Sequence, residues 1–154
     1  MLAYQEVRMN IVSMEIAKCI VVVVAVYNFG GILYDAILPK TARMHLRNPA
    51  WPPHAKFHNA QTMAVGMLLG TLSIVILFAF RPLTLPIFLV AAAVAGVYFF
   101  AMVLAPLFPG NAWVDPEFAD ETPRPFGLWF QQFVTYVLCG LLAAAVGIAC
   151  IGNG

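Results

Sequence analysis

The chain has 154 residues, of which 62% are hydrophobic and only 10% charged, against about 25% charged in soluble domains. That deficit excludes an ordinary soluble domain and points to a membrane protein. A net charge of +1 leaves no electrostatic case for nucleic acid as a partner.

A membrane-spanning helix needs about 20 mostly apolar residues, and four segments meet or approach this. The first runs from about Ile11 to Leu38, is most apolar over Cys19–Phe29, and is stopped by Pro39. It starts late, and Tyr27-Asn28-Phe29 stands where a small-x-small cleavage site would close a signal peptide, so a retained helix is expected. The second runs from about His54 to Phe80, opened by Pro52-Pro53; proline suits a first helical turn, where the missing N–H is no loss. The third covers about Leu85 to Leu107, ended by Pro106 and Pro109-Gly110, and the fourth about Phe126 to Ile151, closed by Gly152-Asn153-Gly154. Open strands are excluded at membrane depth because lipid gives backbone groups no partner. The expected fold is all-α, an integral membrane antiparallel four-helix bundle with residues 1–154 as a single domain.

Only Arg81-Pro82-Leu83-Thr84 separates the second and third helices, which predicts a tight hairpin. The longer connections, Pro39–Pro53 and Phe108–Pro125, then share one membrane face. That face carries Lys40, Arg43, Arg47, Lys56 and Arg124 against Arg8, Lys18 and Arg81 opposite, and the positive-inside rule puts the long loops in the cytoplasm. The first loop is basic, while the second holds Asp115, Glu117, Asp120 and Glu121. Opposite signs predict loops that pack together as a lid, unless both are simply solvated, and salt screens any exposed pair. Gly66 and Gly70 form a G-x-x-x-G, and Ala91-Ala92-Ala93 with Ala95-Gly96 line the third helix. Such residues let membrane helices approach closely, here within the bundle rather than across a dimer. Glu15 and Lys18, three apart near the other interface, read as a salt-bridged pair.

Polar residues converge on the long-loop side. Asn28, Gly31 and Asp35 make one stripe of the first helix, and His54, His58, Gln61 and Thr62 share a face of the second. Tyr98 and Met102 lie in the near half of the third, and Gln132, Thr135, Tyr136 and Cys139 repeat the spacing on the fourth. Polar side chains within a span face the interior or a water-filled cavity. For Asn28, Thr62 and Thr135 mutual hydrogen bonding that fixes the bundle's register is the plainer reading. His54, His58 and Asp35 are the titratable candidates for chemistry. Asn28, Trp51, Gln61, Tyr98, Gln132 and Tyr136 complete the expected pocket.

His54 and His58 at i, i+4 can share a metal, with His45 or Asp35 as third ligand, although the Glu of H-E-x-x-H is absent. The competing chemistry is proton transfer, with Asp35, Glu117 or Glu121 partnering a histidine. A plainer role is interfacial anchoring, alongside an aromatic belt of Trp51, Trp113 and Trp129. Cys19, Cys139 and Cys150 form no C-x-x-C or C-x-x-H pair, and read as buried free thiols. No residue pattern specifies a cofactor.

The run Asn48-Pro-Ala-Trp-Pro-Pro-His-Ala-Lys-Phe-His-Asn-Ala-Gln61 resembles a segment of an uncharacterised family of small four-span proteins. The four-helix plan is also similar to DoxX-like and EXPERA-type (sterol isomerase and sigma-2 receptor) membrane proteins. The EXPERA resemblance implies a lipid-like ligand between the helices and proton transfer by acidic and histidine side chains, with no site residue transferred onto this chain.

The expected function is therefore a multi-pass protein of the lipid bilayer, in a bacterial inner or plasma membrane, that binds a lipid-like or isoprenoid small molecule. As an enzyme it would transfer protons, with His58 or His54 as base and Asp35 orienting it. The alternatives are a non-catalytic subunit or assembly factor with a membrane protein partner, and a small transporter.

Overall fold

A computed structural model describes residues 2–152, with side chains from Asn10 onward. Asn153 and Gly154 of the expected terminator, and the Arg8 side chain counted above, lie outside the described residues. The helices are α1 (Leu2–Tyr27), α2 (Gly30–Ile32), α3 (Pro39–Ala42), α4 (Pro53–Ala79), α5 (Leu85–Leu104) and α6 (Phe130–Ile151), with no strand among the described residues. Four spans are long and apolar enough to cross a membrane: Asn10–Ile37, Pro53–Ala79, Leu85–Leu107 and Phe130–Ile151. They form an antiparallel bundle in which α1 packs on α4 and α6, and α5 on α4 and α6, with α1 and α5 also touching across the diagonal.

The first span is not one regular helix. Asn28 turns its side chain back to the Val24 carbonyl (3.2 Å) and across to the Ala95 carbonyl of α5 (3.0 Å), and α1 ends at Tyr27. After Gly30–Ile32 the chain widens into a π-helical turn, Leu33–Ile37, closed by Leu38 N–H donating to the Leu33 carbonyl (2.9 Å). Leu38 is extended (ψ 121°), as a residue before proline prefers. The last span also starts later than the sequence suggested. Phe126 and Gly127 adopt positive φ (53° and 81°) in a 3-10 turn, Pro125–Gly127, so regular helix begins only at Phe130.

Small residues set the spacing. A Cβ on Gly66 would stand 2.9 Å from the Asn28 carbonyl, and one on Gly70 would collide with the Ala25 carbonyl. The G-x-x-x-G is thus the α1–α4 contact, inside the bundle. Ser73 of α4 donates to the Ala91 carbonyl of α5 (2.9 Å), and Ala91, Ala92, Ala95 and Gly96 are buried. The core gathers Val21 and Val24 of α1, Leu77 of α4, Phe88 and Phe99 of α5, and Leu138 and Leu142 of α6. Outward-facing Val23, Val26, Leu68, Val75, Val90 and Val97 remain exposed, the surface a bilayer would cover.

Two features lie at the loop-poor end or along the outer surface. Lys18 pairs with Glu15 (3.4 Å) and sits over the Phe78 ring (4.5 Å). The cysteines are free, but Cys19 and Cys150 are exposed on the apolar exterior and only Cys139 is partly covered; expectation of burial is corrected for these two, because both project from the bundle rather than toward the core.

Candidate functional site beneath the long loops

The two long loops close over one end of the bundle. Arg43 Nη2 donates to both carboxylate oxygens of Glu121 (3.0 and 2.8 Å), and Lys40 donates to the Glu121 carbonyl (3.3 Å). The Arg43 guanidinium also covers the Phe118 ring (5.5 Å). Asn48, buried, accepts from the Ala50 N–H (2.9 Å) and donates to Glu117 (3.3 Å). Opposite charge does join these loops.

Beneath them lies a cavity of about 530 Å³. Its wall comes from the end of the first span (Tyr27, Gly31, Tyr34, Asp35), from α5 (Tyr98, Phe99, Met102), from α6 (Gln131, Val134, Thr135) and from the loops (Thr41, His45, Trp51, Trp113, Phe118). Most of this wall is aromatic or aliphatic. Its polar focus is Asp35, which stands in the π turn, where one extra residue per turn redirects a side chain; such turns recur at functional sites.

Both oxygens of Asp35 are engaged. Oδ1 lies 3.3 Å from His45 Nδ1, and Oδ2 accepts from Asn59 Nδ2 of α4 at 3.0 Å. His45 Nδ1 is also 2.9 Å from the Thr41 carbonyl. Both neighbours of Nδ1 are acceptors, so in the neutral ring this nitrogen carries the hydrogen and Nε2 keeps its lone pair. Among the described residues Nε2 has no protein hydrogen-bond partner. Trp51 meets the imidazole edge-on, ring centroids 5.8 Å apart. Thr41 in turn hydrogen-bonds the Tyr34 carbonyl through its hydroxyl, tying α3 to the π turn.

Of the residues expected at the site, Asp35, Trp51 and Tyr98 line this cavity together with His45. His54, His58 and Gln61 do not; they are exposed on α4 and bond to one another. Asn28 is buried between α1 and α5. Gln132 donates to the Tyr136 hydroxyl (3.3 Å), and Tyr136 packs on Trp113 (6.4 Å) behind the wall. His45, His54 and His58 do not gather into one ligand set, and no group of three or more His, Cys, Asp or Glu that could hold a metal occurs among the described residues. Trp129 lies under the Arg124 guanidinium (3.4 Å).

Sequence reasoning passed over Asn59, Tyr27, Tyr34, Thr41 and Gln131. Asn59 sits inside the very run that drew attention, between His58 and Gln61, and an amide there has no spacing signature to mark it. Gln131 lines the cavity in place of Gln132 because it stands one turn before Thr135, on the same face of α6.

Four antiparallel spans with two loops folded over a polar-ended cavity define a multi-pass membrane protein of the four-helix class. Within that class the chain belongs to DUF6640, a family of unknown function, whose family model matches residues 20–144. Comparison with curated proteins and with solved structures gives no match.

Proposed function

We propose that this protein binds a largely apolar, lipid-like or isoprenoid molecule in the loop-side cavity, with the molecule's polar end against His45 and Asp35. The observation that carries this reading is the cavity itself: about 530 Å³, within the roughly 300–1,000 Å³ of small-molecule sites, with a mostly aromatic and aliphatic wall and with Asp35, His45, Lys40, Asp115 and Glu121 among its polar lining. Tyr98, Phe99, Met102 and Phe118 suit a hydrocarbon body. The enzymatic version of this reading is proton transfer. His45 Nε2 takes a proton from one atom of the substrate and returns it at another, so atoms balance without a co-reactant. Asp35 is then the positioning residue that holds Nδ1–H. This role falls to His45 rather than to His54 or His58, which lie outside the cavity; the analogy with EXPERA-type proteins is one of topology alone.

The test is native mass spectrometry of the full chain released from mild detergent, beside the Val134→Trp variant, whose indole would fill the wall. A lipid-like mass on the wild type, lost from a variant with an unchanged melting temperature, supports the reading. A wild type that flies empty from membranes of its own host overturns it.

A second reading, a non-catalytic subunit of a larger membrane complex, draws on the exposed polar residues His58, Gln61 and Thr62 of α4, an unusual surface to leave against lipid. Stoichiometric co-purification of another membrane protein, abolished by Gln61→Leu with Thr62→Val, would favour it.

A further inference from the structure

Outside the cavity, the start of α4 holds a second arrangement of side chains. His54 and His58, one turn apart, bring their Nε2 atoms to 3.0 Å from each other. The rings stand nearly perpendicular, at 78° with centroids 4.4 Å apart. Each ring is held from a different side. The Phe57 ring stacks on His54 (6.3 Å, 7°), and His58 Nδ1 lies 3.1 Å from Gln61 Oε1.

The hydrogen-bond polarity follows from the acceptor at the far end. An amide oxygen accepts, so His58 Nδ1 carries the hydrogen and His58 Nε2 offers a lone pair. The close contact between the two Nε2 atoms then has one proton between two lone pairs, and that proton comes from His54. Moving it to His54 Nδ1, for which no protein partner stands in the way among the described residues, leaves a lone pair on each of two nitrogens 3.0 Å apart. We propose that His54 and His58 form a chelating site for a divalent first-row transition metal such as Zn²⁺, with Gln61 orienting His58. The site is separate from the cavity and does not depend on the reading given for it.

The geometry fits. Two metal–nitrogen bonds of about 2.0–2.1 Å span roughly 2.9 Å at a right angle and roughly 3.4 Å at the tetrahedral angle. The observed 3.0 Å lies between these limits, so the nitrogen spacing already suits a metal, and each ring turns to aim its lone pair off the N–N axis. Imidazole nitrogen suits zinc, copper and nickel over the hard cations. A metal-bound histidine almost always donates its other N–H to an oxygen acceptor, which is what Gln61 supplies to His58. Neutral imidazole is the form that binds metal. The N-terminus of α4 opposes the metal's own charge, which the two nitrogen bonds must outweigh. Two protein ligands leave further coordination positions for water or an incoming donor group.

The chain contains only three histidines, which makes the test direct. Full-length protein labelled with ¹⁵N-histidine, in mild detergent and stripped with a chelator, is titrated with Zn²⁺. The expected result is one Zn²⁺ per chain, with the ring nitrogens of His54 and His58 moving and those of His45 unmoved. His54→Ala and His58→Ala each weaken binding by more than tenfold, and Gln61→Leu by roughly tenfold, in line with lost outer-shell partners. Both histidines are exposed, and the unchanged His45 signal reports that each variant is folded. Zinc binding that survives His58→Ala, or a titration that leaves both ring signals in place, overturns the proposal.

Discussion

The Asp35 carboxylate meets His45 Nδ1 at 3.3 Å although ten residues separate them in the chain. The π turn carries Asp35 inward, Leu38 and Pro39 reverse the direction, and α3 brings His45 back over it. Asn59 of α4 completes the group from the other side. A hydrogen bond to a charged group contributes about 1.5–3 kcal/mol, so Asp35→Ala is expected to lower stability by an amount of that order, and Asn59→Ala by less. Because the two share one contact, the double variant should fall short of the sum by more than about 0.5 kcal/mol. Thermal unfolding in detergent measures this cycle; strict additivity would mean that the two residues act independently.

His45 should exist at neutral pH as the Nδ1–H tautomer when uncharged, since the Thr41 carbonyl and Asp35 both accept from that nitrogen. Ring ¹⁵N shifts distinguish the tautomers. Asp35→Ala removes one of the two acceptors and should reduce the preference without abolishing it, because Thr41 stays. An Nε2–H ring in the wild type would remove His45 as a base facing the cavity.

Much of the architecture could be read from residue order. Pro39, Pro52-Pro53, Pro82 and Pro109-Gly110 punctuate the spans, and runs such as Leu85–Leu104 have no other stable form in lipid. The loop pairing followed from the signs of Arg43 and Glu121. The break after Tyr27 could not be read so easily, because Asn28 serves equally as a pocket residue or as a backbone-capping one until its partners in α1 and α5 are known. The histidines were harder still. Spacing puts His54 and His58 on one face of α4, but which face meets the bundle is set by Gly66 and Gly70, more than a turn further on, and they turn that face outward. His45 has no periodic neighbour at all; its place depends on a chain reversal.

Gly70→Ala is expected to cost about 1–3 kcal/mol, the range for overpacking, as its methyl would meet the Ala25 carbonyl. Gly140 and Gly147 have nothing within 4 Å of the corresponding position. Alanine there should be neutral or stabilising by up to about 1 kcal/mol through helix propensity. Melting temperatures of the three variants, compared in one detergent, decide whether α1 and α4 touch as described.

Arg43 and Glu121 are both substantially exposed, at 53% and 41%, and such pairs contribute about 0–1 kcal/mol. Arg43→Ala should therefore leave the melting temperature nearly unchanged while raising amide exchange in residues 115–122, where the second loop loses its tether. The same change should appear in the wild type at high salt, because exposed charges are screened. Exchange that ignores both perturbations would place the loop's anchorage elsewhere, in the packing of Phe118.

The close seating of α4 on α1 has a bearing on distant chemistry. Gly66 lies seven residues, or about 10 Å of helix rise, from Asn59, and it rests against the carbonyl of Asn28. Together with Gly70 against the Ala25 carbonyl, that contact admits a single register, since sliding by a turn would bring Thr62 or Ile74 where only hydrogen fits. The height at which Asn59 arrives beside Asp35 is thereby gauged from within the apolar half of the bundle, and a methyl group added there would detune a polar centre it never touches.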